Sequence, residues 1–187
     1  MTATTTTNGT APLSKQLTER FARIKLLVLD VDGVLTDGSI YLDSHGNNLK
    51  CFFSHDGHGI KMILEQGVQV MLLSARKCNA TRQRAGELGI PFVHLGEEVK
   101  RTQLYKHMQQ HQLGSEAVAY MGDDLVDLGA MQLCGLVIAP VNAVEPIRQR
   151  ADIVTSHSGG RGAVRECCDQ ILKARGVYSH YLEEPHA

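Results

Sequence analysis

The sequence lacks the features that mark several large classes of protein. Its 19 Lys and Arg nearly balance its 20 Asp and Glu, so the formal net charge of -1 does not indicate nucleic acid as the main partner. No apolar run reaches the roughly 20 residues that a membrane-spanning helix needs. Residues 1–12 are rich in Thr and have neither a basic patch nor an apolar stretch, which argues against a signal peptide. We therefore expect a soluble, cytoplasmic protein with no membrane partner.

The sequence also lacks the cysteine spacings that indicate disulfide frameworks or zinc sites. It has five cysteines, an odd number, and no pair has the CxxC spacing. A disulfide framework and a zinc site are therefore not indicated. Free thiols in a reducing compartment are the interpretation that this pattern favours. The five are Cys51, Cys78, Cys134, Cys167 and Cys168.

Short apolar runs alternate with helical stretches through most of the chain. This alternation predicts an α/β fold, a Rossmann-like parallel sheet with helices on both faces. The length of 187 residues suits one such domain. We expect the domain over residues 19–175, after a disordered segment 1–18 and before a loosely ordered tail 176–187 in which Tyr178 and Tyr181 can dock. The predicted strands are 24–29, 68–73, 92–95, 117–121, 136–138 and 153–154.

Two short β-prone segments follow the first predicted strand. Residues 39–42 and 49–53 flank the turn-rich stretch 44–47, which predicts a β-hairpin flap. Alternation lets only one face of such a hairpin pack on its own domain, so apolar residues on the other face are left over. Because apolar residues on a projecting hairpin suggest a partner surface, we expect the chain to self-associate.

Polar side chains stand near the carboxyl ends of several predicted strands. Asp30 and Asp32 follow the first strand, and Ser74 follows the second. Lys100 lies a few residues beyond the third. Each of these residues alone has an ordinary explanation, such as a helix cap or a solvated lysine. Because the carboxyl ends of parallel strands meet at one edge of a sheet, their coincidence favours a functional site. The fourth strand is followed by an acidic cluster of Asp123, Asp124 and Asp127.

These residue types suit phosphoryl transfer. The reaction needs a nucleophile in line with the phosphate, a cation, and donors for the equatorial oxygens. Asp30 can be the nucleophile and form an aspartyl-phosphate. Asp30 and Asp123 offer the oxygen ligands that Mg²⁺ prefers. Ser74 and Lys100 can bind phosphate oxygens. On an extended chain Asp32 lies on the same side as Asp30, where it can protonate the leaving group and then activate water.

At these positions the sequence resembles the haloacid dehalogenase (HAD) superfamily of phosphatases. The resemblance rests on Asp-Val-Asp-Gly-Val at 30–34, on Ser74 and Lys100, and on Gly-Asp-Asp-Leu-Val-Asp at 122–127. It extends over about 25–173, and its first and last motifs are specific.

The HAD resemblance implies a role for each of these residues. Asp30 would be the nucleophile, and Asp32 would be the general acid and base. Asp30, Asp123 and the backbone carbonyl of Asp32 would hold Mg²⁺. Asp127 would orient Lys100.

Within that superfamily the chain resembles the 3-deoxy-D-manno-octulosonate 8-phosphate (KDO 8-phosphate) phosphatases. The similar features are the hairpin after the first motif and Gly-Gly-Arg-Gly-Ala-Val-Arg-Glu at 159–166. That family is a capless branch, with no separate lid domain, and only about 25 residues lie between Asp30 and Asp56 here. The resemblance implies hydrolysis of KDO 8-phosphate in lipopolysaccharide precursor synthesis, by a homotetramer in which a neighbouring subunit helps to close the site.

The same resemblance implies which residues contact the sugar acid. Arg76 and Arg84 can pair with its carboxylate. Ser74-Ala75-Arg76 stands where the family usually has Thr-Gly-Arg, and it keeps the hydroxyl. His55 stands where an arginine is usual, so a donor to the sugar acid is lost. The implied substrate-binding residues are Asp32, Phe53, Ser54, His55, Asp56, Gly57, Lys61, Arg76, Arg84 and Lys100.

Three other functions fit parts of this pattern. A phosphatase of a nonulosonate 9-phosphate would share the phosphate site, and the motifs do not separate the two. A phospho-receiver domain also has an acidic cluster and a lysine, but it lacks the acid/base residue and the late Gly-Asp-Asp motif. A non-catalytic phosphatase-like domain is a third alternative. Against it stands the retention of Asp30, Asp32, Ser74, Lys100 and Asp123.

Overall fold

The structure is a computed structural model that describes residues 13–45 and 48–183. Within these ranges no helix is long and apolar enough to cross a membrane. The described residues form eight strands, in the order β1 (Leu26–Leu29), β2 (Tyr41–Leu42), β3 (Asn48–Leu49), β4 (Gln69–Ser74), β5 (Phe92–Leu95), β6 (Val118–Met121), β7 (Leu136–Ala139) and β8 (Ile153–Val154).

Helices connect most of these strands. Short 3₁₀ turns precede β6, at Ser115–Ala117, and follow it, at Leu125–Asp127. The α-helices are α1 (Lys15–Arg23), α2 (Ser54–Glu65), α3 (Asn79–Leu88), α4 (Lys100–Gln110), α5 (Leu128–Met131), α6 (Glu145–Arg148), α7 (Ala163–Ala174) and α8 (His180–Glu183).

Six of the strands form one parallel sheet, in the order β5-β4-β1-β6-β7-β8. Side chains of β1 alternate between two hydrophobic layers on its faces. Leu27 and Leu29 pack in the layer formed with α1, α2, α3 and α7, and Leu26 and Val28 pack in the layer formed with α4, α5 and α6. All six predicted sheet strands form, so the predicted α/β fold class is confirmed. No large cap domain occurs in the described ranges.

The predicted hairpin forms outside the sheet, with strands of two residues each. β2 pairs antiparallel with β3, and Tyr41 lies opposite Leu49. Positions 46 and 47 of the predicted turn lie outside the described residues. Four apolar side chains of the hairpin are exposed: Ile40 by 59%, Tyr41 by 45%, Leu42 by 64% and Leu49 by 59%.

The N-terminal boundary of the domain differs from the prediction. Helix α1 begins at Lys15, inside the segment 1–18 that composition predicts to be disordered. The Ser14 hydroxyl caps the helix by accepting from the Leu17 amide at 3.3 Å, and Phe21 is buried in the core. The cap and the apolar face therefore stabilise a helix where composition predicts disorder. The Thr-rich part of that segment is 1–12, which lies outside the described residues.

At the C-terminus the ordered structure also extends beyond the predicted end of the domain at 175. Residues 180–183 of the predicted loose tail form α8, and Tyr178 and Tyr181 pack against the core. The hydroxyl of Tyr181 donates to the carbonyl of Met62 at 3.1 Å. The tail is therefore held on α2 through Tyr181, and positions 184–187 lie outside the described residues.

Candidate active site

Three neighbouring strands end at one cavity. β1 is hydrogen-bonded to β4 on one side and to β6 on the other. Asp30 follows β1, Ser74 ends β4, and Asp123 lies two residues beyond β6. The amide of Asp30 donates to the carbonyl of Met121 at 3.0 Å, which ties two of these strand ends together. The cavity holds about 240 Å³ and is lined by Asp30, Asp32, Gly38, Ser74, Ala75, Arg76, Lys100, Asp123, Asp124 and Val126.

Lys100 brings a buried positive charge to the cavity. Its Nζ lies 2.8 Å from Oδ1 of Asp30 and 2.7 Å from Oδ1 of Asp127. Burial disfavours the charged form, but the two carboxylates outweigh burial and raise the pKa of Lys100 above its ordinary value. The ammonium therefore stays charged beside Asp30, where it can offset the charge of a phosphate. The predicted contact between Asp127 and Lys100 is present.

Asp127 is fully buried, and both of its carboxylate oxygens accept hydrogen bonds. Oδ1 accepts from the Tyr120 hydroxyl at 2.7 Å and from Lys100. Oδ2 accepts from the amides of Asp123 at 3.1 Å and Asp124 at 3.3 Å. Asp127 therefore fixes the loop after β6 and the lysine together. The sequence does not predict the contact between Tyr120 and Asp127, because a tyrosine inside an apolar strand gives no sign of it.

Asp30 and Asp123 form an electrostatically unfavourable pair. Burial, followed by the charge of Asp127, raises the pKa of Asp30 to about 6. Burial, followed by the charge of Asp30, raises the pKa of Asp123 to about 7. Atoms of these three carboxylates lie within 4.8 Å of one another. Because Asp127 is engaged in hydrogen bonds, Asp30 and Asp123 are the pair that fits a divalent cation with oxygen ligands.

Gly33 permits the close approach of Asp123 to the loop after β1. Its φ is +83°, in the left-handed region that favours glycine. A Cβ at this position would lie 2.0 Å from Oδ2 of Asp123. A side chain at position 33 would therefore displace the Asp123 carboxylate, so the glycine of the first motif is required for the geometry of the last.

The loop after β4 carries a buried hydroxyl and an exposed arginine. The Oγ of Ser74 accepts from the Arg76 amide at 3.2 Å. The carbonyl of Ser74 accepts from the amides of Gly96 at 2.9 Å and Glu97 at 3.0 Å, which fixes the segment that leads to Lys100. The replacement of the usual Thr by Ser therefore leaves a hydroxyl in the cavity wall.

Asp32 contacts a residue that the sequence reasoning missed. Its Oδ1 is paired with the ammonium of Lys50, which directly follows β3 of the hairpin. Nothing in the sequence distinguishes Lys50 from an ordinary solvated lysine, because the pairing depends on how the hairpin folds back. Asn142 was missed for the same reason: its side chain donates to the carbonyl of Gly33 at 3.3 Å and accepts from the amide of Gly159 at 2.7 Å.

Several residues predicted to bind substrate do not line this cavity. Phe53 and His55 line a separate depression of about 290 Å³ beside α7. Arg84 pairs with Glu87 at 3.1 Å on α3. Of the predicted set, the structure brings Asp32, Arg76 and Lys100 to the cavity. The remaining members lie elsewhere on the described chain: Phe53, Ser54, His55, Asp56, Gly57, Lys61 and Arg84.

Asp56 is buried where α2 meets the start of α7. It lies in the first turn of α2, which begins at Ser54. Its side chain is 1% exposed and accepts from the amides of Gly162 at 3.4 Å and Arg165 at 2.8 Å. Asp56 thus caps the start of α7, and its contact with substrate stays a prediction.

Comparison with known proteins identifies the family. No family model matches the sequence. The KDO 8-phosphate phosphatase KdsC of Escherichia coli is 40% identical over 165 residues, which are 88% of this chain and 88% of the relative. The chain belongs to the KDO 8-phosphate phosphatase family. The predicted HAD superfamily is confirmed, and the described residues contain no large cap domain, as the resemblance to the capless branch implies.

Solved structures of the family superpose closely on the fold. The KDO 8-phosphate phosphatase of Moraxella catarrhalis, in complex with magnesium ion, phosphate ion and KDO, is 34% identical with a TM-score of 0.88. The match covers 91% of this chain and 98% of that one. A structure from Legionella pneumophila, described as a HAD superfamily hydrolase of subfamily III A, is 39% identical with a TM-score of 0.85. The match covers 90% of this chain and 95% of the Legionella chain.

Proposed function

We propose that this chain is a Mg²⁺-dependent phosphatase that hydrolyses KDO 8-phosphate to KDO and phosphate. The observation that carries the proposal is the position of Asp30, a buried carboxylate held against Lys100 and beside Asp123 at the edge of the cavity. This arrangement suits a nucleophile for phosphoryl transfer. The named relatives supply the substrate class.

Asp30 and Asp32 divide the chemistry between them. Lys100 and the Val31 amide both contact Oδ1 of Asp30, so we expect Oδ2 to attack phosphorus. The bond between phosphorus and the sugar oxygen breaks, and Asp32 gives its proton to that oxygen. Asp32 then takes a proton from the water that attacks the phosphoryl group on Asp30. Phosphate leaves, and the Asp30 carboxylate is regenerated.

The other cavity residues stabilise the phosphoryl group. The ammonium of Lys100 and the hydroxyl of Ser74 bind its oxygens. Asp30 and Asp123, with the backbone carbonyl of Asp32, would hold Mg²⁺, which supplies charge neutralisation for the transferred group. The raised pKa values of the Asp30 and Asp123 carboxyls support this assignment, because burial and the neighbouring carboxylates disfavour the charged forms, which a cation would stabilise.

We further propose that the site is completed across subunits of a homotetramer. The exposed apolar hairpin and the position of Phe53, His55 and Arg84 away from their own cavity both support this. These residues would meet the substrate in a neighbour's site. Arg76, which lines the cavity of its own chain, would bind the sugar acid there. The reaction would take place in the cytoplasm, in lipopolysaccharide precursor synthesis.

A screen of phosphate esters tests the substrate. Purified chain with Mg²⁺ is incubated with KDO 8-phosphate, a nonulosonate 9-phosphate and neutral sugar phosphates, and released phosphate is measured, with EDTA and Asp30→Asn as controls. We expect the highest kcat/KM for KDO 8-phosphate. A preference for the nonulosonate 9-phosphate would identify the alternative substrate. No hydrolysis of any ester would contradict catalysis itself.

A further inference from the structure

Lys50 is a buried lysine in the hairpin. Its side chain is 7% exposed, although it directly follows β3, whose two residues are exposed. Burial of an ammonium is costly unless it is paired with an opposite charge, and Lys50 is paired with Asp32. The position of Lys50 is therefore set by Asp32, and the hairpin is attached to the active site through this contact.

The two oxygens of Asp32 have different surroundings. Oδ1 contacts the ammonium of Lys50, whereas Oδ2 is buried and has no hydrogen-bond partner among the described residues. Buried carboxylate oxygens are nearly always satisfied in folded proteins, so an unpartnered one in a cavity wall points to a group that arrives with the substrate. Asp32 lines the cavity that contains Asp30.

A second contact joins the hairpin to the cavity. The Oδ1 of Asn48 accepts from the guanidinium of Arg76 at 3.5 Å. Asp32, Asn48, Lys50 and Arg76 also line a small cavity between the hairpin and the loop after β4. The hairpin therefore contacts the proposed acid/base residue on one side and a proposed substrate-binding residue on the other.

We propose that Lys50 is a positioning residue for Asp32. By holding Oδ1, it keeps the carboxyl in the orientation in which Oδ2 faces the oxygen that leaves phosphorus. Lys50 itself exchanges no proton: the proton passes from Asp32 to the leaving oxygen and later from water to Asp32. The inference rests on the proposed function, and it adds that the hairpin controls leaving-group protonation within its own chain.

Leaving-group dependence tests this role. An alkyl leaving group such as KDO needs a proton, whereas p-nitrophenolate leaves without one. In Lys50→Met we expect kcat/KM with KDO 8-phosphate, which reports only the steps up to loss of the leaving group, to fall about 10- to 100-fold, a part of the roughly 100- to 10,000-fold that general acid catalysis contributes. With p-nitrophenyl phosphate we expect kcat/KM to change by less than about threefold. Lys50→Arg should restore most of the loss, because it returns a cation to Asp32.

The controls separate positioning from folding. Lys106→Met, the same change at an exposed lysine on α4, should leave both rates unchanged. In an Asp32→Ala background, Lys50→Met should cause no further loss with KDO 8-phosphate. Equal losses on both esters, or no loss on either, would overturn the proposal. If thermal melting shows Lys50→Met to be unfolded, Lys50→Gln carries the same comparison.

If the proposed substrate is wrong, the wild-type chain itself will show it. The wild-type chain would then hydrolyse p-nitrophenyl phosphate but not KDO 8-phosphate. The Lys50 comparison would still be made, with the alkyl phosphate that the substrate screen identifies, and the same ratio of losses would decide it.

Discussion

The Nζ of Lys100 lies 2.7 Å from Oδ1 of Asp127, and neither side chain is more than 1% exposed. The pair joins the start of α4 to the loop after β6, two segments that are 27 residues apart in sequence. It also brings the ammonium to Asp30, so the geometry of the nucleophile depends on a carboxylate that does not line the cavity.

Asp127→Asn should be costly for both stability and turnover. The change removes one of the two carboxylate charges that Lys100 contacts, and breaking a buried ion pair typically costs about 3 kcal/mol or more. We expect the free energy of unfolding to fall by about that amount and kcat to fall at least about tenfold. Urea denaturation and phosphate release measure the two effects.

Asp124→Asn is the matched control for stability. Asp124 is exposed, and its side chain accepts from the Leu125 amide at 2.7 Å as an N-cap. Asn caps helices as well as Asp does, so we expect a change of less than about 0.5 kcal/mol. Equal losses in the two variants would contradict the role assigned to Asp127.

In the metal-free protein, Asp30 and Asp123 should lower the stability as pH rises from about 4 to about 7. Burial raises the pKa of Asp30 to about 6 and the pKa of Asp123 to about 7, above the ordinary value of 3.8. In this window these two groups bind more protons in the folded chain than in the unfolded chain, so their contribution to the free energy of unfolding falls as the pH rises. Denaturation in EDTA at several pH values measures the slope.

Mg²⁺ should restore part of this loss at neutral pH, because it would offset the charges of both carboxylates. Asp123→Asn removes one of the two groups, so we expect a flatter pH dependence and a smaller gain from Mg²⁺. A variant with the slope and the Mg²⁺ response of the wild type would show that Asp123 is not responsible. Full phosphatase activity after exhaustive dialysis against EDTA would contradict the metal assignment.

Subunit mixing tests whether the site is completed by a neighbour. An Asp30→Asn chain has no nucleophile, and an Arg84→Ala chain lacks an arginine that we place in the neighbour's site. Mixed tetramers should therefore recover activity that neither parent shows. Arg76→Ala is the control, because Arg76 lines the cavity of its own chain, and mixing it with Asp30→Asn should recover none.

Light scattering at micromolar concentration tests the assembly itself. We expect a tetramer, held in part by the exposed side chains of Ile40, Leu42 and Leu49. An active monomer would rule out completion of the site across subunits, and recovery in the Arg76→Ala mixture would place that arginine in the neighbour's site.

The central part of the site could be predicted from the sequence for a physical reason. Asp30, Ser74 and Asp123 follow apolar runs that become adjacent parallel strands, and adjacent parallel strands bring their carboxyl ends together. The same topology predicts that Lys100, a few residues beyond the end of another strand of the sheet, lies at this edge as well. Motifs close to strand ends therefore carried most of the information about the phosphate site.

The rest depends on contacts between segments that are distant in sequence. The pairing of Lys50 with Asp32 requires the hairpin to fold back over the cavity, and no local pattern encodes that path. Asp56 belongs to the segment that the resemblance places at the substrate, and it caps α7 because α2 and α7 pack together. No local pattern predicts this cap, since it joins two helices that are distant in sequence.

Trapping the phosphorylated enzyme shows directly which residue is the nucleophile. During turnover of p-nitrophenyl phosphate with Mg²⁺, the reaction is quenched and treated with borohydride, which reduces an acyl phosphate to an alcohol, and the peptides are analysed by mass spectrometry. We expect reduction of residue 30 alone, with no product in Asp30→Asn, whose kcat should be less than about one hundredth of the wild-type value. Label at another residue, or an Asp30→Asn chain that retains more than this activity, would contradict Asp30 as the nucleophile.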